Sequence, residues 1–200
     1  MLWTIRRLLK SRLSYKHPKH SFTRNIRFIG GFSLNRKKNR YITEAAVIAA
    51  LYTALTYVSG IFGMSYLGVQ FRISEALTIM PIFTPSAILG LLAGCILGNI
   101  NSPFFAADMV FGSLATLFAA LLTRKLRKRE IRGFPLFSFL PPIILNSLVV
   151  GAEISFLAEG GFSLELFSVS ALQVAAGETA VLTVLGIPLY KAVQKLKIYQ

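Results

Sequence analysis

Five polar side chains lie inside runs that are otherwise apolar enough to enter a bilayer: Arg72 and Glu75 in GVQFRISEALTIMP, Asn146 and Glu153 in PPIILNSLVVGAEISFLA, and Glu178 in LQVAAGETAVLT. An Arg or acid at mid-membrane costs about 2.5 to 3.5 kcal/mol on insertion scales, so each should face a protein interior or an aqueous cavity and have a partner. Arg72 and Glu75 are three residues apart, hence neighbours on one helix face, with Gln70 just upstream and Ser74 between them. Asn146 and Glu153 are seven apart and share a face as well. Three carboxylates against one guanidinium leave a surplus of acceptors, which suits a ligand rich in N–H donors or carrying a cation. Each residue also has a structural reading: a self-neutralising Arg72–Glu75 pair, Asn146 bridging two helices, Glu153 reaching the outer interface, Glu178 pairing with Arg72. A proton relay or a dinuclear metal site would use the same carboxylates, although no Glu-x-x-His pair supports the metal.

Elements long enough to carry these residues through a membrane follow from the composition. The chain has 200 residues, 54% of them hydrophobic, and its mean hydropathy is +0.60, which places it in the membrane class. Apolar runs predict an all-α membrane protein of six transmembrane helices: 42–60, a second span ending near residue 83, 86–100, 104–123, 134–158 and 166–190. Residues 61–69 read as a loop or re-entry, and Pro141 and Pro142 as a break that kinks a cavity-lining helix. With the N-terminus inside, the loop RKLRKREIR after span four and the C-terminal lysines are inside too. That leaves 21 of the 22 Lys and Arg on the cytoplasmic side, Arg72 being the exception. Counting along spans five and six at about 1.5 Å per residue places the ligand-facing group in the outer half of the bundle.

Several functions are excluded or left without support. The net charge of +14 is concentrated in residues 1–40, which hold twelve Lys or Arg and no acid. This segment reads as a poorly ordered basic cytoplasmic extension or a transit-like leader, distinct from the membrane domain 41–200. Its nearest partner is an anionic lipid surface, not nucleic acid, for which no recognised fold signature is present. Cys95 is the single cysteine and reads as a packing residue; His17 and His20 lie in the tail without metal-ligand companions. No phosphate-binding glycine loop, G-x-S-x-G or H-E-x-x-H occurs, so the chain is not expected to be an enzyme, needs no cofactor, and must draw any transport energy from elsewhere.

Small residues mark close helix contacts. Ala46, Ala50 and Ala54 recur every four residues in span one with Ala45 and Ala49 beside them, and Gly90, Gly94 and Gly98 do the same in span three. By spacing alone the alanine stripe reads as a contact with another helix of the same chain.

Taken together, AAVIAALYTALT (45–56), QFRISEALTIMP (70–81), GLLAGCILGN (90–99), DMVFGSLATLFAA (108–120), PPIILN (141–146), GE (177–178) and LGIPLY (185–190) resemble the QueT family over about residues 42–190. These are queuosine-precursor transporters of the substrate-binding (S component) class of energy-coupling factor (ECF) importers. The resemblance implies a six-helix plasma-membrane protein with both termini cytoplasmic. It would capture a 7-deazaguanine such as preQ0 or preQ1 from outside and work with a transmembrane coupling subunit and two ATP-binding-cassette ATPases. It assigns the alanine stripe to the coupling subunit and the loop 61–69 to closing the pocket; the substrate-binding candidates remain the polar group read above, Gln70, Arg72, Glu75, Asn146, Glu153 and Glu178. The basic leader departs from the short N-terminus usual in the family. An S component for another vitamin (riboflavin, folate or thiamine) and a non-transporting membrane adaptor are the alternative functions.

Overall fold

A computed structural model describes residues 36–63, 71–102, 105–157 and 161–196. The expectations for the basic leader through residue 35, for Gln70 and for most of the loop 61–69 lie outside the described residues. Among those described, all regular structure is helical apart from one isolated bridge between Ile131 and Phe134, and Leu34–Gln200 forms one compact unit.

The first helix, α1, spans Arg36–Ile61, starting earlier than the apolar run predicts. Lys and Arg are good helix formers, and Arg40 Nε donates to Glu44 Oε1 at 2.7 Å one turn on, so the basic residues simply extend the helix. The second apolar run is shorter than a span. Ile73–Ile82 forms a 3-10 helix that includes Pro81, and ten residues at roughly 2.0 Å each reach about 20 Å against about 30 Å of hydrocarbon. Residues 74–81 are all buried, so this rod is wrapped by the other helices and need not meet lipid itself. Next come α2, Ser86–Gly98, and α3, Phe105–Leu126, the latter with a π turn at Asp108–Gly112.

Pro141 and Pro142 do not kink anything. They fall in the first turn of α4, Leu140–Leu157, where a missing N–H leaves no carbonyl unserved. The residues before them form a short 3-10 turn, Leu136–Ser138. The last helix, α5, spans Leu164–Leu196 with a π turn at Leu182–Gly186, and Ser163 caps it by accepting from the Leu166 N–H. Four helices (α1, α3, Leu136–Leu157 and α5) are long and apolar enough to cross a membrane; the 3-10 rod and α2 are the shorter pair.

Consecutive rods alternate in direction, which sorts the loops to two ends. Tyr41 Oη donates to Pro85 O, Arg124 Nη1 donates to Pro81 O at 2.9 Å, and the Tyr190 ring packs on Phe83 and Phe134. The start of α1, the turn at 83–85, the loop after α3 and the end of α5 therefore share one end, and with them every described Lys and Arg except Arg72. At the other end Tyr57 Oη donates to Leu97 O, and Ser155 Oγ donates to Ser163 O.

The seam between α1 and α2 uses the small residues of both. A Cβ on Gly90 would stand 2.7 Å from Ala45 O, and one on Gly94 would stand 2.8 Å from Tyr52 Cβ. Ala49 is buried in this seam, whereas Ala46, Ala50 and Ala54 are exposed on the far side of α1 beside Val47, Leu51 and Val58. The two overlapping alanine stripes thus belong to different faces.

Candidate functional site

The 3-10 geometry of Ile73–Ile82 brings residues three apart into register, so Arg72, at the cap position, and Glu75, one turn in, lie on one line of the rod. The Glu75 N–H donates to Arg72 O at 3.0 Å, and Thr78 Oγ1 donates to Glu75 O. Both charged side chains are buried. Arg72 Nη1 reaches Asn99 Oδ1 at 3.3 Å, at the end of α2, and Asn99 Nδ2 in turn donates to Asp108 O at 3.0 Å.

Glu75 is the hub of the cluster. Its Oε1 accepts from Tyr52 Oη of α1 at 2.5 Å, and its Oε2 accepts from Asn146 Nδ2 of α4 at 3.5 Å. The same amide donates to Glu178 Oε1 of α5 at 3.3 Å. Two carboxyl groups from different rods are therefore bridged by one amide, with the Arg72 charge close enough to act on both. Arg72, Glu75, Asn146 and Glu178 line a cavity of about 20 Å³ with Cys95 and Thr116 on its walls, room for about one water molecule. Both Asn146 contacts are long, so a ligand with better donors can replace them. Four of the six residues singled out from the sequence thus come together. Gln70 lies outside the described residues.

Glu153 does not join this group. It lies two turns beyond Asn146 on α4, facing Asp108 of the π turn. Glu153 is 6% exposed, and neither of its carboxyl oxygens has a hydrogen-bond partner among the described residues; Asp108 accepts from the Ser102 hydroxyl. The level of the site also differs from expectation. Because 134–139 do not belong to α4, Asn146 is six residues into the helix, about 9 Å from its start. The Glu75–Asn146–Glu178 group accordingly sits near mid-bundle, and the Asp108–Glu153 pair nearer the end away from the basic segments.

Tyr52, Asn99 and Asp108 were not among the residues expected at the site. Tyr52 had a legible signal, a phenol hydroxyl on the face of α1 that also carries Ala45 and Ala49. Asn99 falls at the end of the third predicted span and Asp108 near the start of the fourth; only the fold shows that both supply Arg72's surroundings.

The family model described as QueT transporter matches residues 42–195. A curated relative, "Queuosine precursor transporter QueT" of Lactococcus lactis subsp. cremoris (strain MG1363), is 30% identical over 139 residues, which cover 66% of this chain and 82% of the relative. No solved structure matches the chain.

Proposed function

The chain belongs to the QueT transporter family, and from that premise we propose that it captures a queuosine precursor, a 7-deazaguanine, as the substrate-binding subunit of an ECF importer. The observation that carries this reading is the pair of buried carboxyl groups, Glu75 and Glu178, joined by a single amide. A deazaguanine presents a ring N–H and an exocyclic amine side by side, which carboxylate oxygens accept in pairs, and a ring carbonyl to which Arg72 or the Asn146 amide can donate. The base then supplies the donors that this acceptor-rich site lacks. Since the cavity holds little more than a water molecule, the base enters by displacing the Asn146 bridge and easing the helices apart.

The energy comes from other subunits, because the chain has no ATP-binding loop. Ala46, Ala50 and Ala54, the exposed small residues on α1, receive the coupling subunit, which brings two ATP-binding-cassette ATPases. Ala45 and Ala49 contribute from behind by letting α2 approach. The basic end faces the cytoplasmic side of the plasma membrane, and anionic lipid is the partner its positive charge favours.

The full chain purified from cells fed a mixture of deazaguanines is expected to carry one of them, identified by mass spectrometry. Ala50→Trp should keep that ligand and lose the ATPases on co-purification. A chain that retains riboflavin, folate or thiamine instead, or an Ala50→Trp variant that still brings down the whole complex, would contradict the corresponding half of the reading.

A further inference from the structure

The Glu153 carboxyl stands out among the buried polar groups. It is more than nine-tenths buried, no described donor reaches either oxygen, and its neighbour is a second carboxyl, Asp108. Two adjacent acids in a low-dielectric setting require a cation between them or a shared proton. Ser102 engages one Asp108 oxygen but supplies no charge. Arg72, the single basic residue near by, acts on Glu75 and Glu178 as well as on this pair, so one positive charge serves four carboxyl groups.

The pair also lies one helix turn away from the central cavity on both α3 and α4. On α3, Gly112 and Thr116 line that cavity, and Asp108 lies one turn beyond Gly112. On α4, Asn146 and Val150 line it, and Glu153 lies one turn beyond Val150. Two helix stripes therefore run together from the Glu75–Glu178 level to the Asp108–Glu153 level, about 10 Å along the axis between Asn146 and Glu153. The π turn at Asp108–Gly112 supplies the extra residue that changes the facing of α3 at this point. Glu153 also borders an apolar groove of about 460 Å³ that opens to the outside of the bundle between the exposed side chains Phe111, Leu148, Phe156 and Leu157.

We propose that Asp108 and Glu153 form a second subsite that holds an ammonium group of the ligand, so that the chain selects a 7-deazaguanine with a cationic 7-substituent over a neutral one. The proposal rests on the base reading above. With the donor edge of the six-membered ring on Glu75 and Glu178, the 7-substituent leaves from the opposite end of the bicycle, toward Asp108 and Glu153. The ammonium supplies N–H donors to Glu153 and balances the excess of acids.

Titration calorimetry on the full chain in nanodiscs tests this with two probes, 7-aminomethyl-7-deazaguanine and the neutral 7-cyano-7-deazaguanine. The aminomethyl base is expected to bind at least about tenfold more tightly. Glu153→Gln and Asp108→Asn should each bring the two affinities within about twofold by weakening the cationic ligand alone. Should Asp108→Asn misfold, Glu153→Gln decides, since Ser102 and the other described donors leave the Glu153 oxygens alone. Equal affinities in the wild-type chain, which would mean that the pair shares a proton, overturn the proposal, and so does a preference that survives Glu153→Gln. If neither base binds the wild-type chain, the base reading fails first and takes this proposal with it.

Discussion

The seam between α1 and α2 and the polar cluster at the centre of the bundle solve the same problem in opposite ways. In the seam, glycine on one helix meets backbone on the other, with Gly90 against Ala45 O and Gly94 against Ala49 and Tyr52. Lipid gives no hydrophobic drive for helix association, so close packing must hold the pair, and a missing Cβ is what permits it. The central cluster instead has polar atoms with few donors, two carboxyl groups sharing one amide, and farther along α4 Glu153 accepts from none of the described donors. The seam is complete as it stands. The cluster is not, and the proposed ligand would supply the donors it lacks. Tyr52 belongs to both regions, its Cβ against Gly94 and its hydroxyl on Glu75.

Substitutions should separate the two regions by what they change. The largest effect is expected in the seam: Gly90→Val would force a side chain into Ala45 O and Ile48. Overpacking of this kind costs about 3 kcal/mol, seen as a melting temperature lower by roughly 6 to 12 °C. Ligand affinity at a permissive temperature should stay within about twofold, because the contact is remote from the carboxyl groups. A smaller and opposite signature is expected for Tyr52→Phe. Losing its hydroxyl on Glu75 should weaken ligand binding about tenfold while leaving the melting temperature nearly unchanged. Equal losses of stability in both variants would erase the distinction between the regions. The smallest effect is expected at Arg40→Ala, where the ion pair with Glu44 is exposed at the arginine; it should cost less than about 0.5 kcal/mol and leave binding untouched.

Much of this architecture was legible in the chain because bilayer physics acts on long runs. Apolar length, alternating loops and the placement of Lys and Arg were enough to predict an all-α membrane protein with its basic segments at one end, and a resemblance pointed to the family. The ends of helices were less legible. A basic start to α1 and a 3-10 form for Ile73–Ile82 depend on local hydrogen bonding and enclosure, which hydropathy does not report. Pro141 and Pro142 misled because proline breaks a helix interior but suits a first turn, and the run does not say which applies.

Within the site, the residues visible in advance were charges in apolar runs, as with Arg72, Glu75, Asn146 and Glu178. Asn99 and Asp108 were hidden because each lies next to a predicted turn, where polar residues are expected. Glu153 was visible, but its partner was not, since spacing along α4 cannot reveal what α3 presents. The two alanine stripes show the same limit: Ala49 and Ala50 are adjacent in sequence, yet one is buried against α2 and the other exposed.

The central claim is that buried acceptors at mid-bundle recognise the donor edge of a base, and Glu178 tests it most directly. In titration of the purified chain with 7-aminomethyl-7-deazaguanine, Glu178→Gln should bind about a hundredfold more weakly than wild type, with an unchanged melting temperature. Wild-type affinity in that variant would contradict the account.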